Sequence, residues 1–191
     1  MKNIAFVTTI AATLTSGFVM ADTSAELATQ RNVNQQQRIE QGLQSGELTT
    51  REAGQLERQQ GHVDRVETRA MRDGTIGVAE QAHIDATQDR ASQGIAYQKH
   101  DGQEGNPNSA SSQRLQADVA RNVNQQQRIH DGVASGELTN HEAARLERGQ
   151  SHTSRREANA AADGHVGRGN QNRIQRSENR QSQHIHKQKH D

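Results

Sequence analysis

The sequence has no cysteine, no tryptophan and a single proline, and aromatic residues make up only 2% of its 191 residues. The absence of cysteine excludes disulfides, thiolate metal sites and a thiol nucleophile. Hydrophobic residues amount to 29%, a smaller share than a globular chain usually has, so little apolar area is available for a core. We therefore expect a marginally stable chain that is partly disordered.

The first 21 residues have the layout of a signal peptide. Lys2 precedes an apolar and threonine-rich stretch over residues 4–20, and the small residue Ala21 stands directly before Asp22. We predict cleavage after Ala21 and a periplasmic or secreted protein. No second hydrophobic run follows, so no membrane span is expected after signal cleavage.

The rest of the chain is a duplication. Residues 31–101 recur as residues 121–191 at a constant offset of 90, with about half of the positions identical. Residues 102–113 hold Pro107 and have the composition of a flexible linker. The predicted organisation is a signal peptide (1–21), helical repeat unit 1 (22–101), the linker (102–113) and helical repeat unit 2 (114–191).

Stop and start signals divide each unit into three helices. Gly46 and Gly74 are typical of helix ends, and Thr49 with Glu52 three residues later forms a capping box. A similar pair, Thr23 and Glu26, predicts the start of the first helix, while Gly77 and Glu80 give a weaker start signal for the third. The connections are short, which favours antiparallel neighbours. We predict an all-α fold of two tandem copies of a three-helix hairpin or bundle unit.

Two of the predicted turns invite comparison with a calcium loop. Residues 45–52 and 73–80 resemble the second half of an EF-hand loop, and this resemblance implies oxygen ligands for calcium. Calcium needs several such ligands, whereas the first and third positions of the second loop would be Arg69 and Met71. Helix capping explains the glutamates without an ion, so we interpret the turns as structural. More broadly, the chain resembles small exported bacterial helical proteins with Ser-Gly-Glu-Leu-Thr turns, which implies a location more than a mechanism.

Histidine is the second candidate for metal chemistry. His186 and His190 lie four residues apart on the predicted third helix of unit 2, so they would face the same way and chelate copper, nickel or zinc. His184 would join them if the chain end frays. His141 and His152 are about 16 Å apart along one helix and cannot share an ion. The alternative is that these histidines are solvated side chains.

Motifs of enzymes and of nucleic-acid binding are absent. His141 to Arg145 is a near miss of the zinc-protease motif, because Arg145 stands where the second histidine should be. Tyr97 is the one aromatic residue after the signal peptide, which argues against stacking on nucleic acid. A polar bundle of this kind offers no obvious dry pocket in which to shift a pKa. We therefore expect a protein that is not an enzyme and has no nucleic-acid partner.

Charge differs between the two copies. The whole chain has a net charge of +0, but residues 31–101 carry 9 basic and 11 acidic side chains, and residues 121–191 carry 12 and 8. The imbalance indicates either drift on solvated helix faces or attraction between the copies or to an anionic partner.

Two functional hypotheses remain. The first is a non-catalytic exported (periplasmic) protein that binds divalent metal ions through histidines and carboxylates. The alternative is a protein-interaction or chaperone-like envelope stress protein. In that hypothesis, partly exposed apolar stripes over 48–70 and 84–95 would bind envelope proteins or a second copy by self-association.

Overall fold

The computed structural model describes residues 18–190, with side chains from Thr23 onward. This part of the chain forms six α-helices and no strand, which confirms the all-α fold class. The helices are α1 (Phe18–Ser45), α2 (Thr50–Ala70), α3 (Val78–Lys99), α4 (Ala110–Ser135), α5 (Asn140–Ala160) and α6 (Arg168–Gln188). Residues 1–17 of the predicted signal peptide lie outside the described residues. Within those residues, none of the helices combines the length and hydropathy needed to cross a membrane.

The capping residues begin and end the helices as the sequence predicts. The Thr49 hydroxyl accepts a hydrogen bond from the Glu52 amide at 3.2 Å, and the Glu52 carboxylate accepts one from the Thr49 amide at 2.8 Å. Thr139 and Glu142 repeat this capping box at the start of α5. Gly46 follows α1 with a φ of 83°, a left-handed conformation that glycine adopts without strain. The starts and ends of these helices are therefore determined by residues close to them in the sequence.

Two predicted boundaries are wrong. The first helix does not start at Thr23, because α1 begins at Phe18 and continues through that residue. The segment read as a linker over 102–113 is helical from Ala110, because Ser109 is an N-cap whose hydroxyl accepts a hydrogen bond from the Ser112 amide at 3.1 Å. The serine-rich composition that favours a linker is also the composition of a helix start.

The loop between the two copies is packed against the first copy. The Gly105 amide donates a hydrogen bond to the Gly46 carbonyl oxygen at 2.8 Å. A Cβ atom on Gly105 would collide with the Leu48 carbonyl oxygen, so the two backbones are in direct contact. This contact ties the loop to the turn between α1 and α2.

Helices of the two copies pair with each other in antiparallel fashion. α2 packs along α5, and α1 packs along α4. Where α2 meets α5, the Ser151 hydroxyl donates a hydrogen bond to the Gly61 carbonyl oxygen at 2.8 Å. These two residues are equivalent in the repeat, so the copies are related by an approximate two-fold axis that passes near this contact.

Both hydrophobic cores contain residues of both copies. In one core, Val66 and Ile84 of the first copy pack with Ile129 and Leu146 of the second. In the other core, residues of the first copy such as Leu56 pack with residues of the second such as Leu115 and Ile174. Each copy thus completes its burial against the other, which compensates for the small apolar content of the chain.

The apolar stripes expected to be partly exposed are buried. Leu48, Leu56 and Val63 in the first stripe, and Ile84 and Ile95 in the second, are each at most 1% exposed. They are covered because the second copy packs over the first, which the pattern of one helix cannot indicate. The large exposed hydrophobic side chains among the described residues are Leu27, Val78 and Tyr97.

Candidate metal centre

The middle of each paired helix carries buried polar side chains between its two apolar ends. Asn32 of α1 donates to a carboxylate oxygen of Glu67 on α2 at 2.6 Å, and Gln36 donates to Glu57 at 3.2 Å. The second copy repeats both hydrogen bonds, from Asn122 to Glu157 at 2.7 Å and from Gln126 to Glu147 at 3.1 Å. The amide side chains of α1 and α4 therefore hold glutamates of α2 and α5 in fixed positions.

Three carboxylates from the two copies converge between α2 and α5. Asp64 and Glu67 lie on α2, one turn apart, and Glu147 lies on the antiparallel α5. One carboxylate oxygen of each residue lies within 4.8 Å of the others, and all three residues are buried. We call Asp64, Glu67 and Glu147 the carboxylate cluster. Oxygens at these separations can contact one ion at once.

Two oxygens of the carboxylate cluster lack a hydrogen-bond partner. They are Oδ2 of Asp64 and Oε1 of Glu147, both of which are buried. An unpartnered carboxylate oxygen away from water carries a large desolvation cost unless a proton or a cation compensates for it. No lysine, arginine or histidine is buried among the described residues. The half-buried Arg65 lowers the pKa of Asp64 and Arg31 lowers that of Glu67, but burial outweighs both effects.

The electrostatic state of the cluster follows from this burial. Burial raises the pKa of Asp64 well above its usual range, and the neighbouring carboxylates of Glu147 and Glu67 raise it further. Burial likewise raises the pKa of Glu147 well above its usual range, with Glu67 adding to the effect. The pKa of Glu67 is raised by burial to about 7, against the opposing effect of hydrogen bonds from Asn32 and Gln88. The expectation that the bundle has no dry place to shift a pKa is therefore wrong.

The approximate two-fold axis relates the carboxylate cluster to a second place between α2 and α5, which holds two carboxylates instead of three. Glu57 and Glu157 approach each other there as the equivalents of Glu147 and Glu67, and their carboxyl groups interact directly. The position equivalent to Asp64 is Ser154. Two carboxyl groups can share one proton, so a single shared proton is enough to lower the negative charge of Glu57 and Glu157. Among the described residues, the carboxylate cluster is the one group of three that fits a metal ion.

Further acidic residues are buried on the side of the second copy. Asp118 stands where the first copy has Ala28, and Glu178 stands where it has Gln88. The pKa of Asp118 is raised to about 8 by burial and then by the charge of Glu178. Burial raises the pKa of Glu178 to about 7, although Arg121 lies 3.3 Å away and opposes the shift. The interior thus becomes more acidic than the net charge of the chain suggests.

The structure places the three predicted histidine ligands on the surface. His186 and His190 have ring centroids 4.3 Å apart, so these two are brought together as the sequence predicts. Nδ1 of His190 lies 2.7 Å from the backbone oxygen of His186. His184 is exposed and lines a cavity with Arg145 and Lys187. Metal binding by His184, His186 and His190 stays a prediction.

The glutamates of the calcium-like turns are used as helix caps. Glu52 bonds to Thr49, and Glu80 accepts a hydrogen bond from the Gly77 amide at 2.8 Å. In the second copy, hydrogen bonds from Thr139 lower the pKa of Glu142. These contacts support the structural interpretation of the turns.

The residues of the carboxylate cluster were missed from the sequence, although a signal for two of them exists. Leu56, Val63 and Ala70 mark the buried face of α2, and Asp64 and Glu67 fall within the same sector of the helix. Charged residues inside an apolar sector of a helix indicate a functional site, because burying a charge costs free energy that must be compensated. Glu147 could not be added, since the pairing of α2 with α5 is not visible in either helix alone.

No family model, curated protein or solved structure matches this chain. The geometry of its own residues is therefore the basis for a function.

Proposed function

We propose that the protein is a non-catalytic, exported binder of a divalent cation, which Asp64, Glu67 and Glu147 hold between the two copies. The observation that carries this proposal is the convergence of three buried carboxylate oxygens within 4.8 Å. Oδ2 of Asp64 and Oε1 of Glu147 have no hydrogen-bond partner and could accept a cation. Oε1 of Glu57 and Oε1 of Glu157 are also unpartnered, so the convergence of three carboxylates is what distinguishes this place. The layout of residues 1–21 supports export to the periplasm or beyond.

The donor atoms select the class of cation. All three ligands offer carboxylate oxygen, the donor that calcium, magnesium and manganese prefer, whereas copper, nickel and zinc favour imidazole or thiolate. Mg²⁺ keeps several water molecules and demands a near-octahedral shell, which is difficult to accommodate in a buried place. Ca²⁺ and Mn²⁺ are therefore the cations to test, and copper, nickel or zinc would indicate the surface histidines instead.

Binding would be coupled to protonation and to folding. A cation that enters the carboxylate cluster displaces protons held by groups with raised pKa values, so affinity rises with pH. Because Asp64 and Glu67 come from one copy and Glu147 from the other, the ion would also bridge α2 and α5. A ligand that binds only the folded state stabilises it, so metal would strengthen the contact between the copies.

The direct test is isothermal titration calorimetry of the purified protein with Mn²⁺ and with Ca²⁺ at mildly alkaline pH. Glu147→Gln removes one ligand while keeping the size of the side chain, and we expect it to abolish binding. Glu57→Gln is the matched control, because Glu57 is the equivalent buried glutamate in the half with two carboxylates. Retained binding by Glu57→Gln supports the proposal. Equal loss in both variants, or no binding tighter than millimolar by the unmodified protein, contradicts it.

A further inference from the structure

A cavity of about 520 Å³ opens between α2 and α3. Its charged lining consists of Arg58, His62 and Arg65 from α2 and Arg90 from α3. Among the described residues, no acidic side chain lines it. Arg58, His62 and Arg90 are exposed and Arg65 is half-buried, so a ligand from solvent can reach them. The lining therefore concentrates positive charge around one concave space.

The arginines of this cavity, Arg58, Arg65 and Arg90, form no ion pair among the described residues, although the charge of Asp64 acts on Arg65. Arg65 donates one hydrogen bond to the Ser151 hydroxyl at 3.3 Å, and Arg90 donates one to the Thr87 hydroxyl at 3.2 Å. Each guanidinium has five N–H donors, so most remain available. Like charges gathered around a cavity repel each other unless an anion lies between them.

The same cationic set recurs in the second copy. Arg148, His152, Arg155 and Arg180 stand at the offset of 90, although only about half of all positions are identical. The buried glutamates Glu57 and Glu67 are retained as well, whereas Asp64 is replaced by Ser154. The positive charges are thus kept at a place where the fold does not need them for burial.

The second copy differs in how the space is filled. Gln59 and Ala91 of the first copy correspond to Gly149 and Gln181. The Gln181 amide lies where a Cβ atom on Gly149 would stand, and it donates a hydrogen bond to the Leu146 carbonyl oxygen at 2.8 Å. In the first copy, Gln59 itself stands at that place, and its amide lies against Gly94 of α3. The glutamine between the two helices therefore comes from α2 in the first copy and from α6 in the second.

We propose that the cavity between α2 and α3 binds a phosphate group through Arg58, Arg65 and Arg90. Guanidinium groups match the oxygens of phosphate in paired hydrogen bonds, and several around one space suit a dianion better than a monoanion. The volume exceeds that of a free phosphate and falls in the range of small-molecule sites. The phosphoryl group of a small metabolite and inorganic phosphate share this chemistry. The cavity and the carboxylate cluster share no residue, although Arg65 of the cavity interacts electrostatically with Asp64 of the cluster.

Calorimetric titration in the presence of a chelator tests this site without a bridging cation. The two probes are inorganic phosphate and a hexose phosphate at near-neutral pH and physiological ionic strength. Binding of either probe supports the proposal, and tighter binding of the hexose phosphate identifies a phosphorylated metabolite as the ligand. If neither probe binds, the proposal is wrong.

Two pairs of variants separate a built cavity from general surface charge. The double variant Arg58→Gln/Arg90→Gln is expected to weaken binding by at least about tenfold, whereas Arg148→Gln/Arg180→Gln, the equivalent change in the second copy, leaves it unchanged. Equal losses in the two double variants contradict the proposal, because they indicate nonspecific attraction. Circular dichroism of each variant confirms that the helices are retained.

A steric variant tests the cavity with all charges kept. Ala91→Gln places a longer side chain on the lining of the cavity while Gln59 is kept. We expect it to block binding of both probes. Unchanged affinity in this variant contradicts a site inside the cavity.

Discussion

Ser151 donates its hydroxyl to the carbonyl oxygen of Gly61 at 2.8 Å, and the two residues occupy the same position in the two copies. A contact between equivalent residues places them beside an approximate two-fold axis, so a contact between the copies is expected to have a counterpart on the opposite side. Departures from this symmetry are informative. The carboxylate cluster is one of them, because its counterpart has Ser154 in place of Asp64.

This difference predicts that one substitution creates a second metal site. Ser154→Asp would place a third carboxylate beside Glu57 and Glu157, as Asp64 lies beside Glu147 and Glu67 in the existing cluster. We expect the calorimetric stoichiometry of Mn²⁺ to rise from one ion to two per chain. A stoichiometry that stays at one in a folded variant contradicts the equivalence of the two places. This prediction rests on the proposed function.

Stability is expected to fall as pH rises in the absence of metal. The pKa of Asp118 is raised from its usual 3.8 to about 8 in the folded protein, so the folded state binds its proton more tightly than the unfolded state does. The contribution of this proton to stability is fully present below about pH 4 and is lost as pH rises through about 8. Chemical denaturation at a series of pH values in chelator should show this decline.

The matched variants for the pH effect lie on one helix. Asp118→Asn removes one of several buried titrating groups and should make the decline shallower, whereas Asp131→Asn removes an exposed aspartate of α4 and should leave it unchanged. If both variants behave like the unmodified protein, the buried aspartate is not a source of the pH dependence.

Glu178→Gln is expected to stabilise the protein at alkaline pH. The equivalent residue of the first copy, Gln88, donates hydrogen bonds to Glu67 at 2.8 Å and to the Ala28 carbonyl oxygen at 2.9 Å. A glutamine at 178 would replace a buried charge with a donor, at the cost of a pair with the partly exposed Arg121. We expect a gain of roughly 1–2 kcal/mol in the free energy of unfolding near pH 8 and little change near pH 4. A loss of stability at both pH values contradicts this view of the interior.

The packing of the loop between the copies can be tested with alanine. In Gly105→Ala, the new Cβ atom would collide with the Leu48 carbonyl oxygen, so the variant should lose about 1–3 kcal/mol of stability in denaturant unfolding. Gly169→Ala is the control, because a Cβ atom there meets nothing within 4 Å and α6 gains a better helix former. Unchanged stability in Gly105→Ala would show that the loop is not held against the first copy.

The sequence predicts where the helices begin and end better than which helices pack against each other. Thr49, Glu52 and Gly46 act within one turn of chain, so their signals suffice to place the helix boundaries. The start of α1 was misplaced because the pattern of Thr23 and Glu26 also occurs inside helices, and the linker was extended to residue 113 because serine-rich segments occur both in linkers and at helix starts. Partial disorder stays a prediction.

The candidate site could be predicted only in part. His186 and His190 share a helix, so their proximity follows from spacing alone. Asp64 and Glu147 are 83 positions apart and meet because the copies pack in antiparallel fashion. That packing depends on which apolar faces fit together, which neither periodicity nor composition specifies.

The most direct test of the account is a thermal melt of the protein followed by circular dichroism at about pH 8, in chelator and then in Mn²⁺ or Ca²⁺. A cation bound between α2 and α5 at hundredfold excess over its dissociation constant would stabilise the fold by about 2.7 kcal/mol. We predict a higher melting temperature for the unmodified protein and for Glu57→Gln, and no change for Glu147→Gln. A melting temperature that neither cation raises, or that rises equally in Glu147→Gln, would contradict a metal centre between the two copies.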